Sequence, residues 1–332
     1  MPDTPSHTSA QPTAELGGAP ARRKLTVVVN PTKVDDLEVA QTLLAQVCQR
    51  HGWNEPTWAL TTEDETGERQ SREAVAAGAD VVASLGGDGT VRAVAAGLVG
   101  TDVALGLLPA GTGNLLARNL DLPVDSLERA AEAMVGGSEH RIDVGLVRTG
   151  NHRLEVAVGH ERADDEEVFL VMCGLGLDGE VMAGTNEKIK GVLGWPAYAI
   201  AGAKRLSGRG FVATVNGVGS EGALVRHCRT VLVGNCGTLQ GGVELMPDAR
   251  PDDGILDLVV VAPQGPFGWL SVVGAVATRS RIGHRRLDRL RSTAFTIVAK
   301  RAVEAEVDGD PIGEHEALAV RVLPDALVVR SG

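Results

Sequence analysis

Between Leu25 and Val147 the sequence alternates short apolar runs with helix-length segments. The runs Leu25–Val29, Pro56–Leu60, Asp80–Leu85, Val103–Leu108 and Arg141–Val147 predict strands. Helices are predicted over Leu37–Arg50, Gly67–Ala77, Thr90–Val99 and Asp125–Val135. Continuous apolar strands need cover on both faces, and crossover helices supply it. The pattern therefore predicts a parallel, doubly wound α/β layer, whose ligands bind beyond the carboxyl ends of the strands.

After Gly150 the texture changes. Strands are predicted over Val168–Cys173, Phe211–Val215, Ala223–Asn235, Ile255–Val261, Ala294–Ala299 and Val303–Val307, with helices near Lys188–Leu206 and Phe267–Thr278. The expected fold class is α/β plus β: a nucleotide-binding domain over 25–147 and an antiparallel, β-sandwich-like domain over 148–316. Residues 317–330 are expected to return to the first domain. The acidic run Glu161–Glu167 reads as a solvated loop. Residues 1–24, rich in Pro, Ser, Thr and Ala, read as a disordered leader.

Charge narrows the function. With 32 Lys and Arg against 43 Asp and Glu among 332 residues, and aromatics at 3%, general nucleic-acid binding is excluded. No apolar stretch is long enough to cross a membrane. Four cysteines without CxxC spacing favour a reduced, cytoplasmic setting.

Two glycine-rich segments stand at predicted strand-to-helix junctions: Gly86-Gly87-Asp88-Gly89-Thr90 and Pro109-Ala110-Gly111-Thr112-Gly113-Asn114. Glycine lets backbone amides approach a polyphosphate, and a following helix N-terminus favours an anion. The Gly-Lys-Ser/Thr ending of a Walker loop is missing. Asn30, after the first strand, reads equally as a nucleotide contact or an N-cap. Pro247–Gly254 gathers three carboxylates in a turn, either a polar turn or a hard-cation site. Asp308-Gly309 by itself is most simply a hairpin turn.

GGDGT at 86–90, LLPAGTGN at 107–114, PDARPDDG at 247–254 and VDGD at 307–310 together resemble, in type and order, the diacylglycerol kinase catalytic family. That family includes soluble bacterial lipid kinases and the sphingosine and ceramide kinases. Arg141–Gly145, Gly174–Asp178 and Lys190–Tyr198 add to the resemblance, which runs from about Leu25 to Arg330. It implies ATP on Gly86, Gly87, Asp88, Gly89, Thr90, Thr112 and Asn114, with Asn30 and Thr61 at the same edge. It implies Asp308 as general base toward a lipid hydroxyl, and a structural Mg²⁺ on Asp253 with the carbonyls of Arg250 and Ile255. Asp143 and Asp178 are implied as network or headgroup residues. The family's GGDGT-x-N-E reads here with Arg92 and Ala93, its GTxND with Leu115, and its DGE with Asp310. Asp88 and Asp143 are then the carboxylates left near the phosphates, and Arg92 is expected to meet phosphate itself.

The resemblance implies a role in phospholipid biosynthesis and contact with an anionic membrane surface. Arg279, Arg281, Arg285, Arg286, Arg289 and Arg291 are candidates for that contact, as is Lys188–Arg209. The oligomeric state stays open, a homodimer included. Two other readings stay open as well: an NAD kinase, which shares GGDGT, and a non-catalytic nucleotide- or lipid-binding regulator of the same fold.

Overall fold

The computed structural model describes residues 22–151, 154–156, 159–176, 210–220, 222–239, 242–263, 268, 272, 274 and 287–332. Asp178, the segment Lys188–Arg209, the first 21 residues and Arg279, Arg281, Arg285 and Arg286 lie outside these.

The first half runs β1 (Leu25–Val29), α1 (Leu37–Arg50), β2 (Thr57–Leu60), α2 (Glu68–Ala76), β3 (Val81–Gly86), α3 (Asp88–Leu98), β4 (Ala104–Pro109), α4 (Leu115–Asn119) and α5 (Leu127–Gly136). Local chemistry sets the helix starts. Asp36 caps α1 by accepting from the Val39 amide, and Ser126 caps α5 by accepting from Arg129. The strands pair in parallel in the order β4-β3-β1-β2. β3 is buried at every position, whereas β2 is an edge strand with both ends exposed. The carboxyl ends of all four strands share one edge of the sheet, and Asn30, Thr61 and both glycine-rich loops follow them.

The second half contains β5 (Ser138–Gly150), β6 (Glu167–Phe169), β7 (Met172–Leu175), β8 (Phe211–Gly217), β9 (Leu224–Cys228), β10 (Thr230–Gly234), β11 (Thr238–Leu239), β12 (Val243–Glu244), β13 (Leu256–Val261), β14 (Leu287–Ser292), β15 (Ala294–Val307) and β16 (Asp310–Ser331). Apart from the β11–β12 ribbon they join the first sheet, whose main path is β14-β13-β10-β7-β15-β16-β4-β3-β1-β2, with β5 and β6 branching from β16 and β8 and β9 from β15. β16 is the splice. It pairs antiparallel with β15 and β5, and its end meets β4 in parallel through Val329 and Leu105.

Three stretches divide into strands differently from expectation. Val168–Cys173 breaks at Leu170-Val171, because the amides there turn to a side chain described below. Ala223–Asn235 is two strands, broken at Arg229, whose amide bonds the Val261 carbonyl at 2.8 Å. The two runs Ala294–Ala299 and Val303–Val307 are one strand, β15, with its register shifted between Val298 and Val303.

One apolar cluster packs α1 and α5 on one face of the parallel sheet. Another packs α3 on the opposite face and continues through Leu170, Val171, Met172, Leu232 and Val259 into the β-rich half. Phe169, Phe211, Phe295 and Ile297 fill a third, within that half. The shared core fixes the geometry between the halves. All four cysteines are free and buried.

The acidic run departs from the solvated-loop expectation at one residue. Glu166 is only 3% exposed and meets Arg321 of β16 through two bonds of 2.7 Å.

Candidate active site

The two glycine-rich loops touch backbone to backbone. β3 and β4 are neighbours with Gly86 opposite Pro109, and the Ala110 amide donates to the Gly86 carbonyl at 3.0 Å. A Cβ on Gly111 would lie 2.7 Å from the Gly87 Cα, and one on Gly113 would lie 2.3 Å from an Asp88 carboxylate oxygen. Gly86 packs on the buried Thr90, where a Cβ would come within 2.6 Å of its hydroxyl. Beside Gly87 there is room: an added Cβ meets nothing closer than 3.8 Å. That open space lies at the start of α3, where a helix N-terminus favours an anion and a side chain would intrude.

Several expected nucleotide contacts have other partners. Asp88 Oδ1 accepts from the Leu115 amide at 2.5 Å, so the first amide of α4 is already engaged. Asn114 is buried with a left-handed backbone, and its side chain bonds both the amide and the carbonyl of Gly111. It braces the second loop. Asn30 accepts from the amide and hydroxyl of Thr32, the N-cap arrangement. Thr61 is buried and its amide donates to the Val29 carbonyl, whereas Thr112 is exposed.

Asp308 and Gly309 form the two-residue turn between β15 and β16, both with positive φ (51° and 88°). That conformation points the Asp308 carboxylate at the break between β6 and β7. Leu170 donates to Oδ2 at 2.9 Å; Val171 and Met172 donate to Oδ1 at 2.8 and 3.0 Å. These bonds interrupt the strand predicted as continuous. Of the four carboxylate lone pairs, three are used and one on Oδ2 is left.

Around Asp308 stand further acids. Glu306, 1% exposed, has no hydrogen-bond partner for either carboxyl oxygen. Burial and the Asp308 charge push it up to about 8, against smaller pulls from the Gly309 amide and Arg92. Burial also raises Asp308, which Arg92 and the three amides pull back. Asp308 has three amides and Arg92 to favour its charged form, whereas neither Glu306 oxygen has a hydrogen-bond partner. Burial, together with Asp308 and Asp310, raises Asp88 to about 6, against its amide bonds. Asp310 closes on the Gly86–Thr90 loop, with its Oδ2 3.1 Å from where a Gly89 Cβ would stand.

Asp143 does not join this cluster. Its oxygens accept from the amides of Gly254 and Asp325 at 2.6 and 2.9 Å, and its own amide donates to Pro251. It thus pins the acidic turn to β5 and to the left-handed kink of β16 at Asp325. Its bonds are not to the glycine-rich loops, contrary to the sequence expectation.

The acidic turn itself centres on Asp253, whose oxygens accept from the Ile255 amide at 3.1 Å and from Arg291 at 2.6 Å. Among the described residues no group of three or more His, Cys, Asp or Glu could hold a metal. The Asp253 carboxylate with the Arg250 and Ile255 carbonyls is nevertheless an all-oxygen set. Oxygen donors of this kind are the chemistry a hard cation takes. Arg291, which also bonds Asp257, competes for the same carboxylate. Arg289 donates to the Leu245 carbonyl, so both described members of the arginine cluster have partners inside the protein. No helix among the described residues is long and apolar enough to cross a membrane.

Three residues were missed in the sequence. Glu306 looked like an ordinary strand residue, Arg321 like part of a return segment, and Asp310 only like a variant letter of a motif.

Residues 24–147 match the family model described as diacylglycerol kinase catalytic domain, and residues 171–331 the one described as YegS C-terminal NAD kinase beta sandwich-like domain. The chain is 30% identical over 317 residues to "Probable lipid kinase YegS-like" of Pseudomonas aeruginosa, covering 92% of this chain and 93% of that protein. A protein of the same name from Pseudomonas putida is 32% identical over 260 residues, covering 76% of this chain and 78% of its own length. The fold is similar to a crystal structure of a diacylglycerol kinase from Bacillus anthracis, with a TM-score of 0.68 at 19% identity over 93% of this chain and 97% of that one. With both halves matched in order and the full-length similarity at this level, the chain belongs to the diacylglycerol kinase catalytic family, among its YegS-like lipid kinases.

Proposed function

We propose that the protein is an ATP-dependent lipid kinase that phosphorylates a hydroxyl of diacylglycerol or a related lipid, with Asp308 as general base. The observation that carries this reading is the Asp308 carboxylate, held by three amides with one lone pair left, beside the phosphate-loop helix. ATP with its Mg²⁺ supplies the transferable phosphoryl group when bound. The amides around Gly87, at the start of α3, receive the phosphates. Asp308 accepts the proton of the lipid hydroxyl. Positioning and charge neutralisation do most of the work in such a transfer. The division into a nucleotide-binding unit at 25–147, a lipid unit at 148–316 and a return segment at 317–330 is part of this proposal. So are contact with an anionic bilayer and a structural Mg²⁺ on Asp253 with the Arg250 and Ile255 carbonyls.

The test is transfer of labelled γ-phosphate from ATP into a panel of mixed-lipid micelles. Label in one lipid class names the acceptor. Label in NAD⁺ alone would make the protein an NAD kinase, and ATP binding without any product a silent binding protein.

Gly87→Ala checks the cradle. The methyl group has room in the free protein, so folding survives, but it occupies the space proposed for phosphate. ATP affinity is expected to fall about 10-fold to 100-fold, as an intrusion costing about 1–3 kcal/mol would cause. Calorimetric titration with a non-hydrolysable ATP analogue reads it directly, and an unchanged Kd would remove the loop from the nucleotide site.

Arg291→Ala checks the cation site. With the guanidinium gone, Mg²⁺ has Asp253 to itself and binding should stabilise the fold by mass action. The Tm difference between Mg²⁺ and EDTA buffers is expected to be larger in the variant than in wild type. Equal Tm values in both buffers for both proteins would leave Asp253 without a metal.

A further inference from the structure

Arg92 stands in α3, at a position where the family pattern carries Asn, and its guanidinium crosses to the other half of the molecule. Nη1 donates to the Val307 carbonyl at 2.9 Å and Nη2 to Asp310 Oδ2 at 2.8 Å. These acceptors are the residues immediately before and after the Asp308-Gly309 turn. The sequence expectation was that Arg92 meets phosphate; both of these donors are committed to the turn instead.

We propose that Arg92 is a positioning residue: it clamps the Asp308 turn to the phosphate-loop helix and supplies the cation facing the buried carboxylates there. The catalytic consequence rests on the lipid kinase reading above; the structural one does not.

Three features converge. The turn offers acceptors on both sides, the Val307 carbonyl before it and the Asp310 carboxylate after it. The two bonds of Arg92 grip it from both flanks. The charges around it are one-sided. Asp88 faces the site from α3, Glu306 from β15, Asp308 from the turn and Asp310 from the start of β16. Cys173 of β7 and Cys236 after β10 feel the same carboxylates and, buried, stay neutral thiols. Arg92 acts on Asp308 and Glu306 alike. Lastly, the fork geometry matters. A planar guanidinium reaches a carbonyl and a carboxylate at once, whereas a lysine ammonium is a point charge with less fixed geometry. The paired departures from the family pattern, Arg for Asn at 92 and Asp for Glu at 310, meet each other in this bond.

The experiment compares wild type, Arg92→Ala, Arg92→Lys and Asp308→Asn in two ways. One is the pH dependence of kcat and KM with ATP and dioctanoylglycerol micelles. The other is an NMR titration of protein labelled with ¹³C at the aspartate carboxyls, without substrate, with Asp308 identified by the resonance missing from Asp308→Asn. Losing the guanidinium should move the Asp308 midpoint, and the acid limb of kcat with it, upward by about one pH unit or more. At pH values below the new limb kcat should fall about tenfold per unit and recover as pH rises, with KM for ATP within about twofold of wild type. Arg92→Lys should restore part of the shift. An unmoved Asp308 resonance in both Arg92 variants would overturn the proposal whatever the turnover. A raised KM for ATP with an unmoved acid limb would give Arg92 to the phosphates instead. If the resonance moves but wild type phosphorylates no lipid, the clamp stands and the lipid kinase reading falls.

Discussion

Asp308→Asn is expected to lower phosphoryl transfer by about 10²–10⁴-fold, the usual contribution of a positioned general base, with ATP affinity close to wild type. The substitution is unusually clean on the backbone, because asparagine tolerates the left-handed conformation that Asp308 adopts (φ 51°). The amide oxygen can keep the bonds from Val171 and Met172, now made to Oδ1. The NH₂ group then faces the Leu170 amide, which donates to Oδ2 in wild type, so two donors oppose each other. That lost bond should cost about 1–3 kcal/mol of stability. A modest fall in Tm is therefore part of the expected result and is separable from the loss of turnover at a temperature where both proteins are folded. The proposed phosphate cradle is Gly86–Thr90 with Gly111, none of which bonds the Asp308 carboxylate, so nucleotide binding should survive. Full turnover in the labelled-phosphate assay would remove Asp308 as the base.

Arg321→Ala is expected to destabilise the fold by about 3–5 kcal/mol, the cost of breaking a buried ion pair by removing one partner. The guanidinium and carboxylate are 6% and 3% exposed, and Arg321 also donates to the carbonyls of Gly159 and Glu161 at 2.7 and 2.6 Å. Removing it leaves Glu166 buried with the Ala163 amide as its remaining donor among these bonds. A Tm decrease on the order of 5–10 °C is expected. The pH dependence gives a second check. Burial alone would raise Glu166, but the Arg321 bonds, the Ala163 amide and the charges of Arg321 and Arg148 bring it below the usual carboxylate value of 4.5. A depressed carboxyl stabilises the fold above its unfolded value and loses that contribution as pH falls through the folded one. In the variant the same burial favours the protonated acid. The Tm gap between wild type and Arg321→Ala should therefore narrow as pH falls below about 4.5. A gap that is absent, or constant from neutral to acid pH, would mean the pair does not hold this loop to the sheet.

Local pattern carried much of the architecture. The apolar runs at Leu25–Val29 and Asp80–Leu85 lack the regular polar alternation of a strand with a solvent face, as buried parallel strands do, and α1 spans the predicted Leu37–Arg50. The Asp308-Gly309 turn was legible for the same reason, because few residue pairs accept two successive positive φ values. The glycine loops announced themselves by spacing, and the motif order pointed to the family.

Partnership across long sequence separations was not legible. Glu166 looked like one more acid in a charged loop until Arg321, 155 residues away, was placed against it. Asp143 looked like a phosphate-side carboxylate, but the fold spends both its oxygens on the amides of Gly254 and Asp325. Arg92 looked like a phosphate ligand, but the splice formed by β16 brings Val307 and Asp310 within reach of its two donors. A side chain's type states which bonds it can make. Which bond it does make depends on what the closed sheet sets opposite it and on how much water is excluded there, and both quantities exist only once the chain has folded.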